Sequence, residues 1–255
     1  MKKKYYIFTA IVSYFLLLTA TIPAKHFTRL INNNTPITIQ GSSGTIWSGK
    51  AYAVSINKTA QLKNTEWSFS LWKLLIGQIA TDIKTQYSGN SINTELGLSF
   101  LGRYFVNRLT AKIPAKDVAE LADIPLAQLS GLISLNIDHA HWKQGELPVV
   151  SGQINWKDAT ITFADTASLG NVLITLGESE QQLLNADIKN QGGDIKITGT
   201  AELKPEADYV VNIKLSPTAS AGSNIKQSLG LFAKKQPNGD YLFKESGPLS
   251  QIGFI

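Results

Sequence analysis

Tyr209-Val-Val-Asn-Ile-Lys-Leu215 decides the fold. Tyr209, Val211, Ile213 and Leu215 recur at every second position, with Asn212 and Lys214 between them. In an extended chain successive side chains point to opposite faces, so this spacing gives one apolar face and one largely polar face. A half-exposed antiparallel strand has that signature. The rhythm continues outward in Ile195-Lys-Ile197, Ile161-Thr-Phe163, Ile154-Asn-Trp156, Leu132-Ile-Ser-Leu-Asn-Ile137, Ala53-Val-Ser-Ile56 and Ile37-Thr-Ile-Gln40. Ser88-Gly-Asn90, Gln191-Gly-Gly-Asp194 and Pro237-Asn-Gly-Asp240 punctuate it and read as turns. The expected fold is mainly β: an elongated, twisted antiparallel sheet with a few short helices, preceded by one N-terminal transmembrane helix.

Three stretches break the two-residue period. Leu71, Leu74, Leu75 and Ile79 are spaced as on a short helix. Pro114 to Leu129 carries Val118, Leu121, Ala122, Leu126 and Leu129, and reads as a helix interrupted at Pro125. Asn224 to Phe232 reads as a third short helix. The first two of these segments are expected to cover part of the apolar face.

The N-terminus has a different character. Lys2-Lys3-Lys4 precedes Tyr5 to Ile22, an uncharged run of eighteen residues. At 1.5 Å per residue the run measures about 27 Å, close to the thickness of a bilayer core. Tyr5 and Tyr6 stand where an interfacial anchor belongs, and the leading lysines favour a cytoplasmic N-terminus. A cleavable signal peptide shares this plan, but the run is long and its exit has no clean small-x-small site. An uncleaved anchor is favoured. Residues 1–4 are expected as a cytoplasmic stub, 5–23 as the transmembrane helix, and 24–255 as a periplasmic β domain with two weakly similar halves.

Charge supports that division. The formal charge is +5, yet no acidic residue precedes Thr65, and eight basic ones do. The remaining 16 Lys and Arg face all 19 Asp and Glu, which leaves the body at −3. Basic charge gathered at a membrane segment suits anionic headgroups. A nucleic-acid binder would carry its basic stripe within the folded body, so nucleic acid is not an expected partner. With no Cys, thiol catalysis and thiolate metal sites are excluded.

Other chemistry is equally sparse. His139-Ala-His141 would place two imidazoles on one strand face, but a metal needs a third or fourth ligand and the remaining His is His26. There is no Gly-x-Ser-x-Gly elbow, phosphate-binding loop or dinucleotide fingerprint. The pairs Glu178/Glu180 and Glu202/Glu206 read as solvated faces. Trp67 and Trp72 beside Lys73 are compatible with an exposed patch, but core packing, the commoner fate of Trp, is the favoured reading. The chain does not read as an enzyme, and no catalytic, metal-binding or cofactor-binding residue, cofactor or small-molecule substrate is expected.

A weak internal repeat links two segments. Gly44-Thr-Ile-Trp47-Ser-Gly49-Lys-Ala51 is echoed by Gly152-Gln-Ile-Asn-Trp156-Lys-Asp-Ala159. Each has a Gly, an alternating apolar step, a Trp, and then a small residue. Further segments extend the pattern: Trp67 with Leu71, Trp72, Leu74 and Gly77; Gly192 to Gly199; and Gly239, Tyr241, Phe243, Gly247 and Leu249. Taken in order over almost the whole chain, these residues resemble the N component of bacterial type II secretion systems. The Pro114-Ala-Lys116 segment matches that family only vaguely. The resemblance implies an accessory inner-membrane component for export of folded proteins across the outer membrane. It implies partners among the other envelope subunits and contact with the inner-membrane bilayer, and it makes the motif positions structural. The same Gly/Trp/small-residue pattern is also similar to the AsmA-like inner-membrane proteins, which implies lipid binding or transfer as the alternative.

Overall fold

The computed structural model describes residues 2–56, 60–121, 128–162, 165–178, 184–204 and 208–248. Phe163, Glu180, Glu206, Leu249 and the Pro125–Leu126 part of the expected middle helix lie outside them. The described residues are mainly β, with a few short helices. It divides into two compact units, Met1–Asn93 and Thr94–Ile255.

The first unit opens with helices α1 (Lys2–Ala20) and α2 (Ala24–Asn34). Strands β1 (Ile37–Gln40), β2 (Ser43–Gly44), β3 (Ser48–Ile56) and β4 (Ala60–Phe69) follow. Helix α3 (Leu71–Leu74), strand β5 (Gln78–Tyr87) and the first part of β6 (Asn90–Ser99) complete it. The strand order is β1-β3-β4-β5-β6, with β2 also on β3. Its buried side chains are small or polar: Ala51 and Ala53 on β3, Thr65 on β4, Ala80 and Thr85 on β5. Thr65 and Thr85 satisfy one another, hydroxyl to hydroxyl at 2.8 Å, as buried polar groups must.

The expected span over residues 5–23 is shortened. Helix α1 ends at Ala20 because Pro23, fixed in φ and without an amide hydrogen, leaves the helix and bridges Thr45 instead. The apolar part, Tyr5 to Ala20, is then only about 24 Å long. Among the described residues, no helix is long and apolar enough to cross a membrane. Helix α2 had no counterpart in the expected pattern. It buries Ala24 and Thr28, one turn apart on one face.

The second unit continues from β6 with β7 (Tyr104–Pro114), α4 (Ala115–Leu121), β8 (Gln128–Trp142), β9 (Val149–Thr162) and β10 (Thr166–Glu178). Then come β11 (Leu184–Gln191), β12 (Ile195–Leu203), β13 (Asp208–Pro217), α5 (Ser223–Phe232), β14 (Lys234–Lys235) and β15 (Tyr241–Pro248). The order runs β6 to β13 in sequence and ends β15-β14. Every ladder with a described register is antiparallel. From β6 to β13 each strand thus lies beside the one before it, as the sequence rhythm requires, while β15 returns to pair with both β13 and β14.

The core of this unit is apolar. Leu169, Val172, Ile195, Ile197, Leu215 and Tyr241 form one cluster, and α5 closes it with Ile225 and Leu229. Those two lie four apart and therefore on one helix face. The helix expected from Asn224 to Phe232 is α5. The helix expected over Leu71–Ile79 is a single turn. Gly77, at φ 75°, ends it, and Ile79 already belongs to β5. None of its residues is buried, so it covers no apolar face. Of the helix expected over Pro114–Leu129, Ala115–Leu121 forms α4, Pro114 ends β7, and Gln128 and Leu129 pair with Thr162 and Ile161 in the β8–β9 ladder; residues 122–127 lie outside the described residues.

Candidate functional site

In the first unit, the Gly44–Ala51 motif builds a tight hairpin. Gly44 adopts φ 87°, where an L side chain is strained, and pairs with Gly49 across the turn. The Thr45 amide donates to the Ser48 carbonyl at 2.8 Å to close it. Gly49 also faces Trp67 on β4, and a Cβ at Gly49 would overlap the Trp67 ring. Gly49 is thus the hole into which Trp67 fits. The Trp67 indole N–H then reaches the Thr45 and Ile46 carbonyls, each at 3.2 Å. Ala51, the next inward position on β3, is 2% exposed.

Trp47 points elsewhere. Its indole N–H donates to the Thr19 carbonyl at 2.8 Å, in the last turn of α1. The Ile46 amide donates to Ile22 at 3.1 Å, and Pro23 bridges Thr45. The hairpin therefore stitches the end of α1 to the sheet. Behind it, the Trp47 ring meets Phe69 edge-on at 5.9 Å and 82°, a favoured aromatic geometry. Two residues later the chain enters α3 and the loop to Gly77. There Leu71, Trp72, Leu75 and Ile76 are 57%, 76%, 73% and 66% exposed. The reading of Trp72 as a core residue is corrected: the hairpin between β4 and β5 projects it into solvent.

The polar face of this unit carries a charged row. Lys50 pairs with Glu66 at 2.6 Å, and Glu66 stands opposite Lys84 in register. A hydrogen bond from Lys50, reinforced by its charge, holds the Glu66 carboxyl below its usual range. With Asp82, Ser68 and Gly44 these residues line an open groove of about 340 Å³.

The outer edge of the same sheet is sealed. The Asn32 side chain, from α2, accepts the Ile39 amide at 2.7 Å and donates to the Ile39 carbonyl at 3.1 Å. It thus imitates a neighbouring strand on β1, and the Thr35 hydroxyl takes the Ile37 amide at 3.3 Å. Unpaired edges invite further strands, and here the Ile37 amide and both backbone groups of Ile39 are already occupied.

In the second unit the motif residues are dispersed. Gly152 lies on β9, where a Cβ would come within 2.7 Å of the Ile137 Cα on β8. Trp156 is half-buried against the apolar cluster, its indole N–H donating to the Ser130 carbonyl at 2.8 Å. Ala159 and Tyr241 belong to that cluster at 0% and 5% exposure. Gly199 is paired between Ile188 and Ile213, Gly239 sits in the β14–β15 turn, and Gly247 faces Tyr209. His139 and His141 stack at 6.2 Å, and no group of three metal-ligating side chains occurs among the described residues. A second hollow, of about 60 Å³, lies under α5. Small-molecule sites run to about 300–1,000 Å³ and are mostly apolar. The smaller hollow falls below that size, and the larger carries Lys50, Glu66, Asp82 and Lys84 in its lining beside Trp67.

Thr19, Asn32 and Phe69 were not foreseen as site residues, since each acts through partners distant in sequence. The exposed loop did leave a signal. Leu71 to Ile76 holds five apolar residues in six, more than one face of a short helix can bury.

The first unit thus joins a β scaffold, capped by Asn32 at β1, to a charged groove and an exposed apolar loop. The family model for type II secretion system protein N matches residues 35–244, and the chain belongs to that family. It is similar to the type II secretion system protein N of Aeromonas hydrophila, 24% identical over 235 residues that cover 90% of each chain. No solved structure matches.

Proposed function

We propose that this protein is an accessory inner-membrane component of a type II secretion system, acting by contacts with other envelope subunits and catalysing nothing. Residues 1–4 lie in the cytoplasm, 5–23 anchor the chain, and 24–255 stand in the periplasm. Family membership supports the secretion role. The apolar run behind three lysines supports the anchor.

The observation that carries the mode of contact is the sealed β1 edge beside an open charged groove. With Ile39 occupied by Asn32, strand addition at that edge is blocked, and partners meet a sheet face instead. Lys50, Glu66, Asp82 and Lys84 offer a partner alternating charges, which favours specificity over raw affinity. The lipid-transfer alternative needs a long apolar groove, whereas the apolar hollow under α5 holds only about 60 Å³.

A photocrosslinking residue at Ser68, in the groove, tests this in cells that carry the secretion machine. Crosslinks to another secretion subunit are expected, together with lower export when the gene is deleted. Normal export without the gene, or crosslinks confined to lipid, would refute the reading.

A further inference from the structure

Leu71, Trp72, Leu75 and Ile76 of the α3 loop face solvent, and the position of the loop is fixed. Four links place it. The Trp47 indole is bonded to Thr19 at 2.8 Å, Ile46 to Ile22 at 3.1 Å, and Pro23 bridges Thr45. The Trp47 ring then packs on Phe69, two residues before Leu71. The β3–β4 register puts Ser48 opposite Ser68, so the Thr45–Trp47 turn and the α3 loop leave the sheet at the same end. The end of α1, the hairpin and the loop are therefore neighbours at one end of this unit.

That end has a consistent chemistry. The segments 19–23, 44–48 and 69–77 contain no acidic residue, and they carry Lys73. Lys25, in the first turn of α2, is exposed beside them. The apolar surface is continuous in kind with α1, whose Tyr14, Leu17 and Leu18 are 62%, 68% and 49% exposed. Loops rich in Leu and Trp with adjacent lysines are suited to the boundary between headgroups and acyl chains, where an indole is amphipathic and cations meet phosphates. Surface apolar patches of this density mark interaction sites.

We propose that the Leu71–Ile76 loop is a second membrane contact. It inserts Trp72, Leu75 and Ile76 into the interface of the bilayer that holds α1, and so fixes the first unit against the membrane surface. The occupant is phospholipid rather than a protein groove, because the hairpin ties the loop to the end of the anchoring helix. This inference rests on the anchored reading of α1, and the experiment separates the two.

The chain has no Cys, so single cysteines can be introduced at Leu75, Ile76, Leu17 and Gln61 of the full-length protein and labelled with a polarity-sensitive fluorophore. All four are surface or partly exposed positions outside the apolar core cluster, and circular dichroism of the reconstituted chain checks the fold. The vesicles are phosphatidylethanolamine and phosphatidylglycerol, with and without nitroxide-bearing lipid. Labels at Leu75 and Ile76 should emit further to the blue than the label at Gln61, and nitroxide lipid should quench them but not Gln61. Loop labels that behave like Gln61 while the Leu17 label is quenched would overturn the inference and leave the anchor standing. Quenched loop labels with an unquenched Leu17 would uphold the loop and overturn the anchor. Blue-shifted loop labels that nitroxide lipid leaves bright would mean that a second copy covers the loop, and the inference would fall. If neither site is quenched, both fall.

Discussion

Two copies of one sequence device, Gly44–Ala51 and Gly152–Ala159, have opposite uses in the two units. Trp156 sits mid-strand and donates to Ser130 on the adjoining strand, with Leu169, Val172, Ile195 and Leu229 making the core beside it. Trp47 stands just before its strand and donates out of the sheet to Thr19. Among the described residues of its unit, the buried side chains are Ala24, Ala51, Ala53, Ala80 and three threonines, Thr28, Thr65 and Thr85. The same indole that secures one unit internally ties the other to a helix. A buried alanine contributes far less than a leucine, at about 25 cal/mol per Å² of apolar surface removed from water. The first unit therefore depends more on its links to α1 and α2, and the second more on its own core.

The contrast can be broken most directly at the tryptophans. Truncating a buried Trp costs about 3–5 kcal/mol, so half-buried Trp156→Ala should lose about 3 kcal/mol. Trp47→Ala should lose less, about 1–2 kcal/mol for one hydrogen bond and one aromatic contact. Chemical denaturation of the detergent-solubilised chain measures both. Hydrogen exchange should also rise at residues 19–23 in Trp47→Ala alone. Equal losses in the two variants would erase the distinction.

Gly49→Ala sharpens it. The added methyl meets the Trp67 ring, and overpacking of this kind costs about 1–3 kcal/mol. The replacement should push Trp67 out of its bonds to Thr45 and Ile46, visible as a shift in tryptophan fluorescence. An unchanged spectrum and stability would show that the close approach is not needed.

In acid the units should behave alike. Asp240 is held below the usual carboxylate range by hydrogen bonds from Lys214 and Ser216, as Glu66 is by Lys50. A carboxyl with a lowered folded value stabilises the fold fully above its unfolded value and loses that contribution as pH falls through the folded one. Both ion pairs should therefore weaken below the ordinary carboxylate range, by small amounts because the lysine of each pair faces solvent, Lys50 at 70% and Lys214 at 51% exposure. Glu66→Gln and Asp240→Asn should each flatten the acid limb of stability slightly, and salt should shrink the effect.

Much of the sheet was legible because period-two alternation is a local signal. Tyr209–Leu215 lies within β13, and Pro237-Asn-Gly-Asp240 is the β14–β15 turn. What escaped was set by distant partners. Nothing near Asn32 in sequence announces that its amide will cap Ile39, and nothing near Trp47 announces Thr19. Helix α2 was readable in principle. Pro23 precedes a four-spaced Ala24/Thr28 pair, and Thr35-Pro36 stops it. The three asparagines between masked that pattern, being turn formers as well as weak helix residues. The α3 loop was misjudged because Trp is more often buried than displayed.

The Asn32 seal has a consequence for how this sheet is made. Helix α2 and strand β1 are neighbours in sequence, so the seal can close as soon as residues up to Ile39 have emerged. In the first unit β1 and β2 share one side of β3, and each strand after β3 pairs with the one just completed. A chain appearing N-terminus first thus has one growing side, and each new strand has a single place to go. Assembly becomes directional, like a zipper closed at its lower end, and short loops keep each step cheap in chain entropy. The blocked side denies unfinished chains a template for pairing with one another while the rest of the polypeptide is still being delivered.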